Sequence, residues 1–258
     1  MKRNEEGNLQ LEKALFYRLM RNASFVSYAV GIFAIASSIA QSVITYAALG
    51  PIETAIATNQ YNSSTLTLIS QALTSILPIT LIILGITVML TLFFAYYTFM
   101  IGGAYEIGSI KTAGVAYAIY ELAILPILLA AYELFPLLPA LMTNPNAALS
   151  QVYGVVVLIL VGGLLAFAFL IIFIVAYCVG LNHLGKETGI GLFGNAMTLA
   201  IIGIILSFLN SILASLGVPI NIGALLLQVS IILFGMALSK AGKEGRLPRR
   251  LAERNAPS

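Results

Sequence analysis

The chain has 258 residues, of which 60% are hydrophobic and 9% charged, with a net charge of +3 and a mean hydropathy of +0.99. Since an average soluble domain has about a quarter of its residues charged, this composition predicts an all-α integral membrane protein without a soluble catalytic domain. All 10 acidic residues are glutamates and no GxxxxGK[ST] motif occurs, which argues against a phospho-aspartate pump or a P-loop ATPase.

Residue types that carry enzyme chemistry are scarce. The chain has one cysteine, Cys178, and one histidine, His183, so it can form neither an internal disulfide nor a histidine-rich metal or haem site. HExxH, CxxC and GxSxG motifs are also missing. The sequence therefore predicts a protein that is not an enzyme and that uses no cofactor.

The charged segment at residues 1–22 has apolar positions at helical spacing. This pattern predicts a short amphipathic helix at the membrane surface, which runs into a first span at 23–49. Small side chains recur along that span and predict that another helix approaches it closely. These residues are Ser27, Gly31, Ser38, Ser42 and Thr45.

Two connections and two spans follow along the chain. A polar connection is predicted over 50–70, span two over 76–100 and span three over 111–134. The next segment, FPLLPALMTNPN at 135–146, holds three prolines and is predicted to form an apolar lip over the outer surface instead of a helix.

The last three spans are predicted at 152–181, 192–216 and 222–238. The connector 182–189, after span four, carries the histidine. Span five has a ridge of small residues at helical spacing, which predicts a second close helix contact. The ridge consists of Gly203, Ser207 and Ser211.

The distribution of cations predicts the orientation in the cell membrane. Of the thirteen Lys and Arg residues, five lie in the N-terminal segment, one follows span two, one follows span four and six lie in the tail 239–258. By the positive-inside rule, both termini of this six-transmembrane-helix bundle are cytoplasmic. The transmembrane domain is thus predicted over 23–238, between a cytoplasmic segment at 1–22 and a basic cytoplasmic tail.

Glu121 is the candidate functional residue. It lies about ten residues into span three, roughly half the depth of a ~30 Å hydrocarbon layer, where a carboxylate must be protonated, paired or hydrated. Tyr117 shares its helix face, and Gln228 and Asn210 are polar groups on other spans that are able to bond to it. Two interpretations stay open: a proton or cation relay, and a structural hydrogen bond that fixes helix packing.

The last third of the chain carries a family resemblance in the motifs KETG at 186–189, Leu192-Phe193, Asn195-Ala196 and IGIIL at 202–206. In these positions it resembles the closing hairpin of small uncharacterised archaeal multi-pass membrane proteins. The resemblance implies an all-helical membrane fold and no known activity.

Two functions are consistent with these features. The first is a non-catalytic scaffold or translocation-pore subunit of a larger membrane assembly, whose partners are the lipid bilayer and other membrane subunits or further copies of the chain. The second is a proton- or cation-coupled small-solute transporter that uses Glu121. No nucleic-acid partner is expected by default, although the basic tail leaves such contact open.

Overall fold

A computed structural model describes residues 2–57, 63–134, 145–215, 221–248 and 251–252, and it has no strand in these ranges. Long apolar segments form helices because a helix satisfies every backbone donor and acceptor internally, as a bilayer requires. Six helices follow one another in these described ranges. They are α1 (Lys2–Ala57), α2 (Ser63–Ala104), α3 (Gly108–Leu134), α4 (Pro145–Thr188), α5 (Gly191–Ser215) and α6 (Ile222–Lys243).

Five stretches of these helices are long and apolar enough to cross a membrane, which confirms an all-helical membrane protein. They are Gly7–Ile44, Pro78–Ala104, Gly108–Ala130, Val152–Thr188 and Ile222–Lys243. On α5 the corresponding stretch, Gly191–Ser207, is shorter. The sixth crossing and the orientation of the termini therefore stay predictions.

α1 begins at Lys2 and continues without a break into the predicted first span, so the amphipathic segment and that span belong to one helix. Phe16 and Met20 are buried against the protein, whereas Leu11 and Leu15 are exposed. Some apolar positions of this segment therefore pack against the rest of the protein.

The predicted connection 50–70 is largely helical. α1 continues to Ala57 and α2 begins at Ser63, so only 58–62 of the predicted connection 50–70 lie outside the described residues. A single proline in this segment removes only one backbone donor and need not end a helix. Of the predicted lip, 135–144 lie outside the described residues, and α4 takes in its last two positions.

The connector predicted at 182–189 is the last two turns of α4 instead. The hydroxyl of Thr188 donates to the carbonyl of Leu184 at 2.6 Å, and the chain then turns at Gly189, whose φ is +70°. A residue in this left-handed conformation commonly ends a helix, and glycine adopts it without strain. Hydropathy marks where the hydrocarbon ends, whereas this glycine marks where the helix ends.

The chain divides into two compact units. Unit 1 comprises Met1–Ile35, Met89–Ala118 and Leu170–Ser258, and unit 2 comprises Ala36–Val88 and Ile119–Phe169. All thirteen Lys and Arg residues belong to unit 1 and none to unit 2. The uneven distribution of cations along the sequence is therefore also a difference in charge between the two folded units.

Small residues let the helices of unit 1 approach closely, as the stripe in span one and the ridge in span five predicted. Gly235 of α6 faces Ser27 of α1, so that an added Cβ would lie 2.9 Å from the Ser27 Cβ. Gly203 of α5 faces Gly223 of α6, and an added Cβ would lie 2.8 Å from the Gly223 carbonyl oxygen. The side chain of Ser211, the last member of the ridge, lies outside the described residues.

An aromatic cluster forms the centre of unit 1 and joins five helices. Its rings are Phe94, Tyr117, Phe173, Tyr177, Phe193 and Phe234. Phe94 contacts three of them edge-on, with centroid distances of 5.8 to 6.4 Å. Near the cluster, the buried hydroxyl of Ser230 donates to the Ala196 carbonyl at 2.7 Å and links α6 to α5.

Candidate functional site

Glu121 lies on α3 within unit 2, and its side chain is only 7% exposed. Among the glutamates whose side chains the structure describes, it is the only buried one. It takes part in a polar interaction, and the phenol of its neighbour Tyr120 is near enough to feel its charge. Glu121 belongs to the stretch Gly108–Ala130, which is long and apolar enough to cross a membrane.

The unit that contains Glu121 has no positively charged side chain. Unit 2 contains no lysine, arginine or histidine, so no side chain of its own unit can neutralise the carboxylate by an ion pair. Within its own unit, only hydrogen bonding or protonation can offset the cost of burying it. Pro126, inside α3, cannot donate to the carbonyl of Leu122, which leaves an acceptor one residue from the carboxyl group.

Tyr117 lies one helical turn before Glu121 on α3, but it belongs to unit 1. Its ring stacks on Phe173 at a centroid distance of 4.3 Å and meets Phe94 edge-on at 5.8 Å. Aromatic pairs of this kind contribute about 0.5–1.5 kcal/mol beyond simple area burial. Packing within the aromatic cluster thus fixes the ring of Tyr117.

The other two residues that were predicted to bond to Glu121 are Gln228 and Asn210, and both lie on other helices. Gln228 lies on α6 in unit 1 and is half-buried, at the point where Gly31 of α1 approaches its backbone. Asn210 lies on α5, and its side chain lies outside the described residues. The structure therefore places Gln228 at a helix contact of unit 1, and it places Glu121 in unit 2.

One long-range hydrogen bond, between a tyrosine and the segment after α6, could not be predicted from the sequence. The phenol of Tyr105 donates to the carbonyl oxygen of Arg246 at 2.9 Å, across 141 residues of sequence. Burial, and to a lesser degree the charge of Glu187, raise the pKa of this phenol above its usual value near 10. The group therefore stays protonated and able to donate throughout the physiological pH range. It anchors the start of the basic tail beside the turn between α2 and α3.

Among the described residues, no three His, Cys, Asp or Glu side chains come together as a metal site. Comparison of the chain with protein-family models, curated proteins and solved structures gives no match. Function is therefore inferred from the residues and their geometry alone.

Proposed function

We propose that this protein is a non-catalytic subunit of a membrane assembly, as a scaffold or as part of a translocation pore. It lies in the cell membrane with six crossings and with both termini in the cytoplasm. A further copy of the chain or another membrane subunit packs against α4. The cation-rich unit 1 and the cation-free unit 2 support the orientation, since Lys and Arg concentrate on the cytoplasmic side.

The exposed apolar surface of α4 carries the proposal. Only 11% of the most apolar stretch of this span is buried, against 22% to 33% in the other four spans. Leu160, Leu164 and Phe167 are 61%, 72% and 52% exposed on this helix. Of the five spans, α4 is thus the one that the rest of the chain covers least.

A notch in this surface, at Gly163, favours a helix of a partner subunit as the group that packs on it. A Cβ added to Gly163 would have no neighbour within 4 Å, and the exposed Leu160, Leu164 and Phe167 surround it in the helical register. Lipid tails are as apolar as leucine, so helices associate in a bilayer through close packing at such small residues. Gly163 therefore offers a second helix a place to approach the α4 backbone.

Filling the notch tests the proposal. We expect the wild-type protein, extracted in a mild detergent, to have an intact mass above that of one 27.5 kDa chain. Gly163→Leu should reduce it to a single chain because the leucine side chain keeps the partner helix away. The matched control is Gly85→Leu on α2, where an added Cβ also has no neighbour within 4 Å. A wild-type mass of one chain, or an equal effect of both variants, would contradict the proposal.

A second function is a proton- or cation-coupled transport step, and the burial of Glu121 in a unit without cations favours it. Glu121→Gln keeps the shape of the side chain but cannot exchange a proton. We expect this variant to lose proton-linked solute flux in reconstituted vesicles while its intact mass is unchanged. Glu106→Gln, at an exposed position in the turn between α2 and α3, is the control and should keep the flux. Flux that survives Glu121→Gln would exclude the relay.

A further inference from the structure

The N-terminal part of α1, the end of α2 and the segment after α6 line an open cleft that none of the features above uses. We propose that this cleft binds one zwitterionic aminophospholipid, with its headgroup between Arg18 and Glu12 and one of its chains along α2. The cleft lies entirely within unit 1, and its binding role is independent of the function proposed above.

The cleft has a volume of about 570 Å³ and mixed walls. Its apolar wall includes Leu15, Leu19 and Met100, while Arg18, Glu12, Asn22 and two tyrosines supply the polar groups. Pro248 and Leu251 close it from the C-terminal side. The hydrogen bond from Tyr105 to Arg246 holds this side in place two residues before Pro248.

The polar end matches a phosphate and an ammonium group. The exposed guanidinium of Arg18 presents several donors in a planar arrangement that suits phosphate oxygens, and the Asn22 amide adds another donor. Glu12, on the same cleft, supplies a carboxylate that attracts the ammonium of the headgroup. Among the described residues that line the cleft, one cation and one anion complement a headgroup that carries both charges.

The apolar end matches a lipid chain. A second groove of about 420 Å³ shares Tyr96 and Tyr97 with the cleft and is otherwise lined by Met89, Leu92 and Phe93 of α2. From residue 97 to residue 89 the groove follows the helix for about 12 Å. It lies within the span Pro78–Ala104, so a chain in this groove stays in hydrocarbon. The two tyrosines then lie where the groove meets the polar cleft, as is typical of tyrosine at membrane interfaces.

This combination favours a lipid over a soluble ligand or a peptide. The ligand must have a charged head at the end of a span and a long apolar part that enters the span. A soluble anion would use the head position only and leave the apolar groove unfilled. A phospholipid fills both and brings its chain in sideways from the bilayer.

Retention of defined lipids by the purified full chain tests the inference. Delipidated protein is mixed with phosphatidylethanolamine or with phosphatidylglycerol in detergent, and the bound lipid is counted by intact-mass measurement. We expect the wild type to retain phosphatidylethanolamine about tenfold more strongly than phosphatidylglycerol. Arg18→Gln should weaken the retention of both lipids about tenfold, because it removes the phosphate contact.

Two further variants keep the test specific. Glu12→Gln should abolish the preference between the two lipids and leave phosphatidylglycerol retention unchanged. Arg21→Gln changes an exposed arginine that does not line the cleft, and it should leave both affinities unchanged. Equal losses for Arg18→Gln and Arg21→Gln, or a wild type that holds both lipids equally, would overturn the inference. Circular dichroism of each variant establishes that the helices are intact.

Discussion

Phe94→Ala is expected to lower the free energy of unfolding by about 3 kcal/mol, the low end of the range for removing a buried phenylalanine ring. Phe94 is 1% exposed and contacts Tyr117, Tyr177 and Phe234. Alanine would leave a cavity among side chains from α2, α3, α4 and α6. In a membrane the lost stabilisation is mainly van der Waals packing, which neighbouring rings cannot restore without leaving their own contacts.

The neighbouring residue provides the control for this experiment. Phe93 is 50% exposed, and Phe93→Ala should change stability by less than about 1 kcal/mol. Both variants are unfolded with sodium dodecyl sulfate in mixed micelles and followed by circular dichroism. Equal destabilisation by the two substitutions would show that the aromatic cluster is not the centre of unit 1.

Gly114→Ala is expected to destabilise the protein by about 1–3 kcal/mol through forced separation of α2 and α3. An added Cβ would lie 2.6 Å from the carbonyl oxygen of Ala95 and 2.7 Å from the amide nitrogen of Phe99. Both neighbours are backbone atoms, so a side-chain rotation cannot relieve the overlap. The higher helix propensity of alanine, worth about 1 kcal/mol, offsets only part of this cost.

Gly194→Ala is the matched control, because an added Cβ on α5 has no neighbour within 4 Å. Only the propensity gain applies there, so this variant should be as stable as the wild type or slightly more stable. The midpoint of thermal unfolding in detergent should therefore fall for Gly114→Ala and stay unchanged or rise slightly for Gly194→Ala. A shift of the same sign and size in both would refute the close contact of α2 and α3.

The sequence was sufficient to predict the helices and several of their contacts. Span three was predicted at 111–134 and α3 is Gly108–Leu134, because apolar runs in this chain coincide with the helices that cross the membrane. The close approach at Ser27 and at Gly203 was also predicted. Small residues at helical spacing have few other uses in a span, so this pattern is informative without any knowledge of the partner helix.

Helix ends and distant contacts were beyond the reach of the same reasoning. α1 and α4 continue well past the apolar runs, since a helix does not stop where the hydrocarbon stops. The bond between Tyr105 and Arg246 joins positions 141 residues apart, and neither residue has a local pattern that marks it. Glu121 could be singled out from the sequence because it is an acidic residue inside an apolar run. The packing of Tyr117 could not be predicted in this way, because it depends on rings from other helices.

Cysteine labelling in intact cells tests most directly whether the chain crosses the membrane with its cationic connectors in the cytoplasm. In a Cys178→Ser background, one variant carries Gly108→Cys, an exposed position with open space around it. The other carries Asn59→Cys, in the predicted outer connection. We expect a membrane-impermeant maleimide to label Asn59→Cys in intact cells and Gly108→Cys only after permeabilisation. Labelling of Gly108→Cys in intact cells would contradict the account.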